Sequence, residues 1–302
     1  MKALHILLTL RCLYECDHCF LFCGPENIEV FSREYLHEVL EDAKKLPDLD
    51  AVFLEGGEPF LYYPLLLSGV EKASSLDLQS GIVSNAYWAT DFDDILLWLK
   101  PLKEAGLSSL SVSTGDFHEP SKSSSRDFSQ NSQESYNALK ELEKELNLDI
   151  NFMETKAPEV DENGELESGG VMFKGRAAEK LTEDLPFKPP EEFDECPYED
   201  LMTPDRVHVD PEGRVHICQG LLIGNHQRSS LKEVLLNYDH EKHPLISPLA
   251  AGGPAALAES VNYSAAEGYV DACHYCFVLR KYLLAEGKYR EYLGPPSVYG
   301  AL

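Results

Sequence analysis

Between residues 4 and 153 short apolar runs alternate with longer amphipathic ones, the arrangement that most narrows the folds open to the chain. The apolar runs Leu4–Leu10, Ala51–Leu54, Gln79–Ser84, Ser108–Ser113 and Asp149–Met153 have the length and β-branched or aliphatic content of buried strands. Helical periodicity fills the intervals at Ser32–Lys45, Pro64–Ser75, Asp91–Ala105 and Ser132–Leu146, with Ser32, Asp91 and Ser132 placed as N-caps. Strands separated by helices pair in parallel and are covered by those helices. Five such units in the first 155 residues predict an α/β fold with a barrel or partial barrel.

The second half reads differently. Pro158–Gly170 is acidic and glycine-rich and is expected to be a flexible surface loop. VMFKGRAAEKL follows as a turn feeding a helix, and a Pro-rich acidic stretch from Leu185 to Glu195 then sets the expected boundary between residues 1–184 and 185–302. RVHVD-PEG-RVHIC predicts a β-hairpin turning at Pro211 and Gly213. No internal repeat is visible.

With 52 acidic and 26 basic residues the formal net charge is −26, a field that repels phosphate backbones and anionic lipid. Nucleic-acid and membrane partners are therefore not expected. No run approaches the roughly eighteen apolar residues of a membrane span. MKALHILLTLRC leads into a cysteine motif without a small-residue cleavage site, so it reads as a strand, and the expected location is cytoplasmic. Eight cysteines without a secretion signal point to metal ligands or catalytic thiols rather than disulfides.

Three of them, Cys12, Cys16 and Cys19, form C-x3-C-x2-C directly after the first strand. Soft thiolates on a short loop suit a cubane cluster, and three of them leave the fourth iron free to bind another molecule. A zinc site or a plain electron-transfer cluster normally takes four cysteines. The second strand ends in Glu55-Gly56-Gly57-Glu58-Pro59, where glycines permit close approach of backbone to a ligand.

A cysteine loop of this spacing after strand one, followed by GGEP after strand two, resembles the radical S-adenosylmethionine enzymes. The resemblance covers essentially the whole chain and implies a partial (β/α)6 TIM-like barrel over residues 1–184. It implies a [4Fe–4S] cluster on Cys12, Cys16 and Cys19 whose open iron is chelated by S-adenosylmethionine. Gly56, Gly57, Glu58 and Pro59 are then cofactor contacts, with Glu58 and nearby carbonyls accepting from the methionine ammonium. Ser84 and Asn85 at the end of strand three and Ser113 at the end of strand four occupy positions that contact the ligand in the family. His18 sits where the family's backbone touches adenine, although an aromatic is commoner there. Arg176 in KGRAAE resembles an arginine that reaches the active site. Asp116 and His118 in STGDFHE, with Glu154, are candidate bases by position only.

The remaining constellation, Cys196, Cys218, Cys273 and Cys276, is spaced C-x21-C-x54-C-x2-C. Four thiolates fit either a fully ligated cluster or a structural zinc. The arrangement resembles the twitch domain, the shorter relative of the SPASM domain, which implies a second, auxiliary [4Fe–4S] cluster within residues 185–302. Cys23 is left over, either as a spare thiol or as a hydrogen-atom donor near the first cluster.

The resemblance implies reductive cleavage of S-adenosylmethionine to methionine and a 5′-deoxyadenosyl radical that takes a hydrogen atom from the substrate. With the auxiliary cluster as electron acceptor, the expected outcome is oxidation of a small molecule. A peptide-modifying maturase is the alternative, and a non-catalytic iron–sulfur or zinc protein is a third class. The implied partners are a small-molecule or peptide substrate and a reductase such as flavodoxin or ferredoxin.

Overall fold

The computed structural model of the protein describes residues 1–117 and 133–301. Strand β1 (Ala3–Thr9) leads through the cysteine loop to helix α1 (Arg33–Ala43), then β2 (Ala51–Gly56), α2 (Tyr63–Ser75), β3 (Gln79–Ser84) and α3 (Phe92–Glu104). Strand β4 (Ser109–Gly115), α4 (Gln133–Leu146) and β5 (Asp149–Thr155) complete this series. Two short strands, β6 (Glu159–Val160) and β7 (Leu166–Glu167), and helix α5 (Ala177–Lys180) follow. The chain closes with β8 (Arg206–Val209), β9 (Arg214–Cys218), β10 (Leu221–Asn225), α6 (Leu231–Asn237), α7 (Ile246–Ser260) and α8 (Ala272–Ala285).

Each strand and helix of the first half lies within a few residues of its predicted span. Ser32 and Asp91 cap α1 and α3, accepting from the amides of Tyr35 and Asp94. Ser132 lies outside the described residues. Pro158–Gly170, expected as an irregular loop, contains the antiparallel pair β6–β7, closed by Asp161 accepting from the amides of Asn163 and Glu165.

Eight strands form one sheet in the order β10-β9-β8-β1-β2-β3-β4-β5. The six from β8 to β5 run parallel, and the predicted β8–β9 hairpin extends the sheet with antiparallel pairs. The sixth parallel strand thus arrives from beyond the linker and lies beside β1, because β8 registers His208 against His5.

Alternation along these strands separates two faces. Leu4, Ile6 and Leu8 of β1, Val52 and Leu54 of β2, Ile82 of β3 and Val112 of β4 are buried against Leu36, Val70, Leu99 and Leu142 of α1–α4. Each such side chain removed from water contributes about 1.5–3 kcal/mol. The opposite face carries His5, Glu55, Ser111, Ser113 and His208, and opens onto a cavity. A second core joins Leu249 and Leu257 of α7 and Leu279 and Leu283 of α8 to Leu10, Cys12 and Leu21 of the cysteine loop. Among the described residues no helix is long and apolar enough to cross a membrane.

Candidate active site and thiolate clusters

The cysteine loop is braced where the first two strands end. The amides of Gly57 and Glu58 donate to the carbonyl oxygens of Thr9 at 2.7 Å and Arg11 at 2.8 Å. A side chain at Gly56 would place its Cβ 2.2 Å from the Thr9 oxygen, and one at Gly57 would place it 2.1 Å from the Arg11 oxygen. These glycines are therefore required by backbone-to-backbone approach, which presses the end of β2 against the root of the loop. Cys12, Cys16 and Cys19 all line a cavity of about 470 Å3 on the polar face of the sheet. The Cys12 sulfur accepts from the Tyr14 amide and from Asn85 Nδ2, each at 3.4 Å.

Burial pushes Cys12 well above the usual thiol range and Cys16 up to about 12. A hydrogen bond from Cys23, with help from the Arg176 guanidinium, holds Cys19 at about 6 against burial. Cys23 is buried beside the three and pushed up by the same bond.

Gly56, Gly57, Ser84, Asn85, Ser113 and His18 line the same cavity, with the His18 ring 5.0 Å from Phe117. Glu58 and Pro59 do not line it. The Glu58 carboxylate is fully buried behind the wall, accepting from the Phe60 amide at 3.0 Å, Ser84 Oγ at 2.9 Å and the Asn85 amide at 2.8 Å. Burial raises it to about 7 despite those donors. Through these bonds it positions Ser84 and Asn85.

Arg176 lies against the cysteine loop. Its guanidinium clasps the cysteine loop from outside, donating to the carbonyl oxygens of Cys16 and Cys23, while its own amide donates to that of Cys19. Neither carboxylate among the candidate bases lines the cavity. Asp116 accepts from the Ala157 amide, and the exposed Glu154 lies 3.6 Å from Lys156. His118 lies outside the described residues.

The wall opposite the cysteines was not singled out from sequence. It carries His5, Glu55 and His208, with Lys174, Glu199 and Gln219 beyond them. Burial holds His208 well below the usual histidine range. The available signal was polar residues at alternate positions in otherwise apolar strands, His5 within ALHILLT and His208 within RVHV.

Cys196, Cys218, Cys273 and Cys276 converge although they come from the linker, the end of β9 and the first turns of α8, and all four line a second, smaller cavity. Lys174 and Glu199 line both cavities. Lys174 Nζ lies 3.7 Å from Cys218 Sγ and donates to Gln219 Oε1 at 2.8 Å. The fully buried Arg280 donates to the Gln219 carbonyl at 3.0 Å. Neither cation is in a salt bridge with a carboxylate among the described residues; Cys218, Cys273 and Glu199 favour the charge on Lys174, and Tyr299 with Cys276, Cys218 and Cys273 favours that on Arg280. Burial pushes Cys276 up to about 11, so bound metal is what would keep it ionised.

No family model matches the chain. Over 119 residues it is 25% identical to YydG of Bacillus subtilis (strain 168), a protein named for peptide biosynthesis, covering 39% of this chain and 37% of that one. Over 108 residues it is 29% identical to the tungsten-containing aldehyde ferredoxin oxidoreductase cofactor-modifying protein of Pyrococcus furiosus, covering 35% of this chain and 29% of that one. These matches span about a third of the curated relatives' length. Among solved structures, anSMEcpe with bound AdoMet shares the fold with a TM-score of 0.50 at 13% identity, covering 94% of this chain and 96% of that one. The shared fold and the two partial matches are in keeping with the resemblance to the radical S-adenosylmethionine enzymes carried by the paired motifs at the ends of β1 and β2.

Proposed function

We propose that the chain is an enzyme that holds a [4Fe–4S] cluster on Cys12, Cys16 and Cys19, binds S-adenosylmethionine there, and removes a hydrogen atom from a substrate in the adjoining cavity. The observation that carries this reading is that all three sulfurs open onto one cavity with Gly56, Gly57, Asn85 and Ser113. When bound, the first cluster supplies the electron that cleaves S-adenosylmethionine, and a second [4Fe–4S] cluster on Cys196, Cys218, Cys273 and Cys276 supplies an acceptor for an electron from the substrate. Asn85 and Ser113 offer hydrogen bonds to the polar groups of S-adenosylmethionine, and the backbone at Gly56 and Gly57 lets it approach closely. Phe20, Leu21, Val83 and Met153 form apolar walls that exclude water from the reacting atoms. Lys174 and Glu199, shared by both cavities, bring substrate next to the second thiolate set. That adjacency supports net two-electron oxidation of a small molecule.

A second reading, modification of a peptide, is supported by the stretch resembling YydG, a protein named for peptide biosynthesis. Both readings share one first test: anaerobic reconstitution, iron and sulfide counting, and an assay for 5′-deoxyadenosine with dithionite and S-adenosylmethionine. The expected result is about eight irons per chain, with deoxyadenosine that disappears in Cys16→Ala. Intact clusters without deoxyadenosine would overturn the proposal, whereas four irons with zinc would remove only the electron-acceptor role. Stimulation by a polyol library or by a peptide library then separates the substrate classes.

A further inference from the structure

His5, Glu55 and His208 face the cavity from three adjacent strands. His5 and His208 are direct partners in the β1–β8 register, and Glu55 on β2 registers with Leu7, two residues along the same face. His5 Nδ1 lies 3.0 Å from Glu55 Oε2, and His208 Nε2 lies 3.5 Å from Glu55 Oε1. One ligand atom from each residue falls within a 4.8 Å group, the single such convergence among the described residues.

Hydrogen bonding accounts for this cluster only in part. Lys174 donates to Gln219 Oε1, which turns the amide nitrogen of Gln219 toward His208 Nε2 at 3.2 Å. An amide nitrogen only donates, so His208 Nε2 is an acceptor and carries no proton. Glu55 Oε1, 3.5 Å from this nitrogen, therefore receives no proton from it in a site where the His208 side chain is 4% exposed, and an ion bound at Nε2 would take over the lone pair that now accepts from Gln219. His5 Nδ1, although 3.0 Å from Glu55, makes no aligned hydrogen bond. The His5 ring is held in place by stacking on Phe53, centroids 4.9 Å apart.

We propose that His5, Glu55 and His208 form a binding site for one divalent first-row transition-metal ion, separate from both thiolate sets. Ligands at right angles on an ion with bonds of about 2.1 Å lie about 3.0 Å apart, and tetrahedral ones about 3.4 Å apart, close to the two observed N···O distances. Two imidazoles and a carboxylate suit manganese, iron or zinc and leave coordination positions open. Those positions face the cavity, so the ion would take an oxygen donor of the substrate as a further ligand.

The test uses the reconstituted holoprotein, whose cysteines are occupied, titrated with Mn2+ in excess Mg2+ to fill carboxylate-only surface sites. Free Mn2+ is counted by electron paramagnetic resonance. One equivalent should bind and be displaced by Zn2+, which ranks higher for imidazole. Glu55→Gln and His208→Asn should each weaken it at least about tenfold, since even outer-shell changes at metal sites cost 10–100-fold. Should either variant fail to fold, the partly exposed His5→Gln reads the same loss. Absence of a Zn2+-displaceable equivalent, or equal Mn2+ binding in folded variants, overturns the site. Deoxyadenosine assays do not enter, so this outcome is independent of the proposed reaction.

Discussion

Arg176 donates to the carbonyl oxygen of Cys16 at 2.8 Å, and its second terminal nitrogen reaches that of Cys23 at 3.0 Å. The guanidinium therefore spans the cysteine loop, while the Phe22 ring lies 5.4 Å from its centre. Hydrogen bonds from a charged group contribute about 1.5–3 kcal/mol each. Arg176→Ala should cost about 3 kcal/mol in denaturant unfolding and lose most of the iron assigned to the first cluster while keeping that of the second. Arg176→Lys, which can serve only one carbonyl at a time, should fall between. Equal iron content in all three proteins would show that the clasp is dispensable.

The contact of Gly57 with Arg11 is the tightest support of the same loop. Gly57→Ala would drive a methyl group into a carbonyl oxygen, and backbone cannot yield as a flexible side chain does. A loss of about 2–4 kcal/mol is expected, accompanied by a weaker iron–sulfur absorbance after reconstitution. Wild-type stability in this variant would mean that the ends of β1 and β2 separate without cost.

Much of this architecture was legible from local pattern. The five strands and the caps Ser32 and Asp91 were found because alternation and capping chemistry are encoded within a few residues. The cysteine loop and GGEP were likewise visible as short motifs. What escaped was non-local. Pairing of His5 with His208 requires a strand from after the linker to join β1, and no local period specifies that partner. Glu58, within GGEP, and Arg176, within KGRAAE, are expected at a ligand only through the family resemblance. What no short motif specifies is the tertiary hydrogen bonding of their side chains, Glu58 to Ser84 and Asn85 and Arg176 to the cysteine loop.

Glu58 gives the site a pH signature. Its carboxyl titrates at about 7 in the folded protein against 4.5 as the ordinary value, so the folded state binds this proton more tightly. Between those two pH values unfolding releases the proton, and the contribution of Glu58 to stability falls as pH rises; below 4.5 and above 7 it adds no slope. The total change is on the order of 3 kcal/mol. Glu58→Gln should be less stable overall, because an amide NH2 would oppose the Asn85 amide, and should lose this pH dependence. The comparison of denaturation midpoints is best made in the upper half of the window, where acid-labile clusters survive. Parallel pH profiles for the two proteins would refute the assignment.

Lys174 sits between the two thiolate sets with its charge buried. Burial alone would lower its pKa, but the thiolates of Cys218 and Cys273 more than offset this, so it stays charged. A cation and hydrogen-bond donor 3.7 Å from a ligand sulfur stabilises the more negative, reduced state of any cluster held there. Lys174→Met keeps most of the volume and removes both effects, so the potential of the second cluster should fall by on the order of tens of millivolts. The cleanest measurement is a redox titration by electron paramagnetic resonance in a protein also carrying Cys12→Ala, Cys16→Ala and Cys19→Ala, which isolates the second signal. An unchanged potential would mean that Arg280 alone balances the thiolates, and that Lys174 serves only to orient Gln219 toward His208.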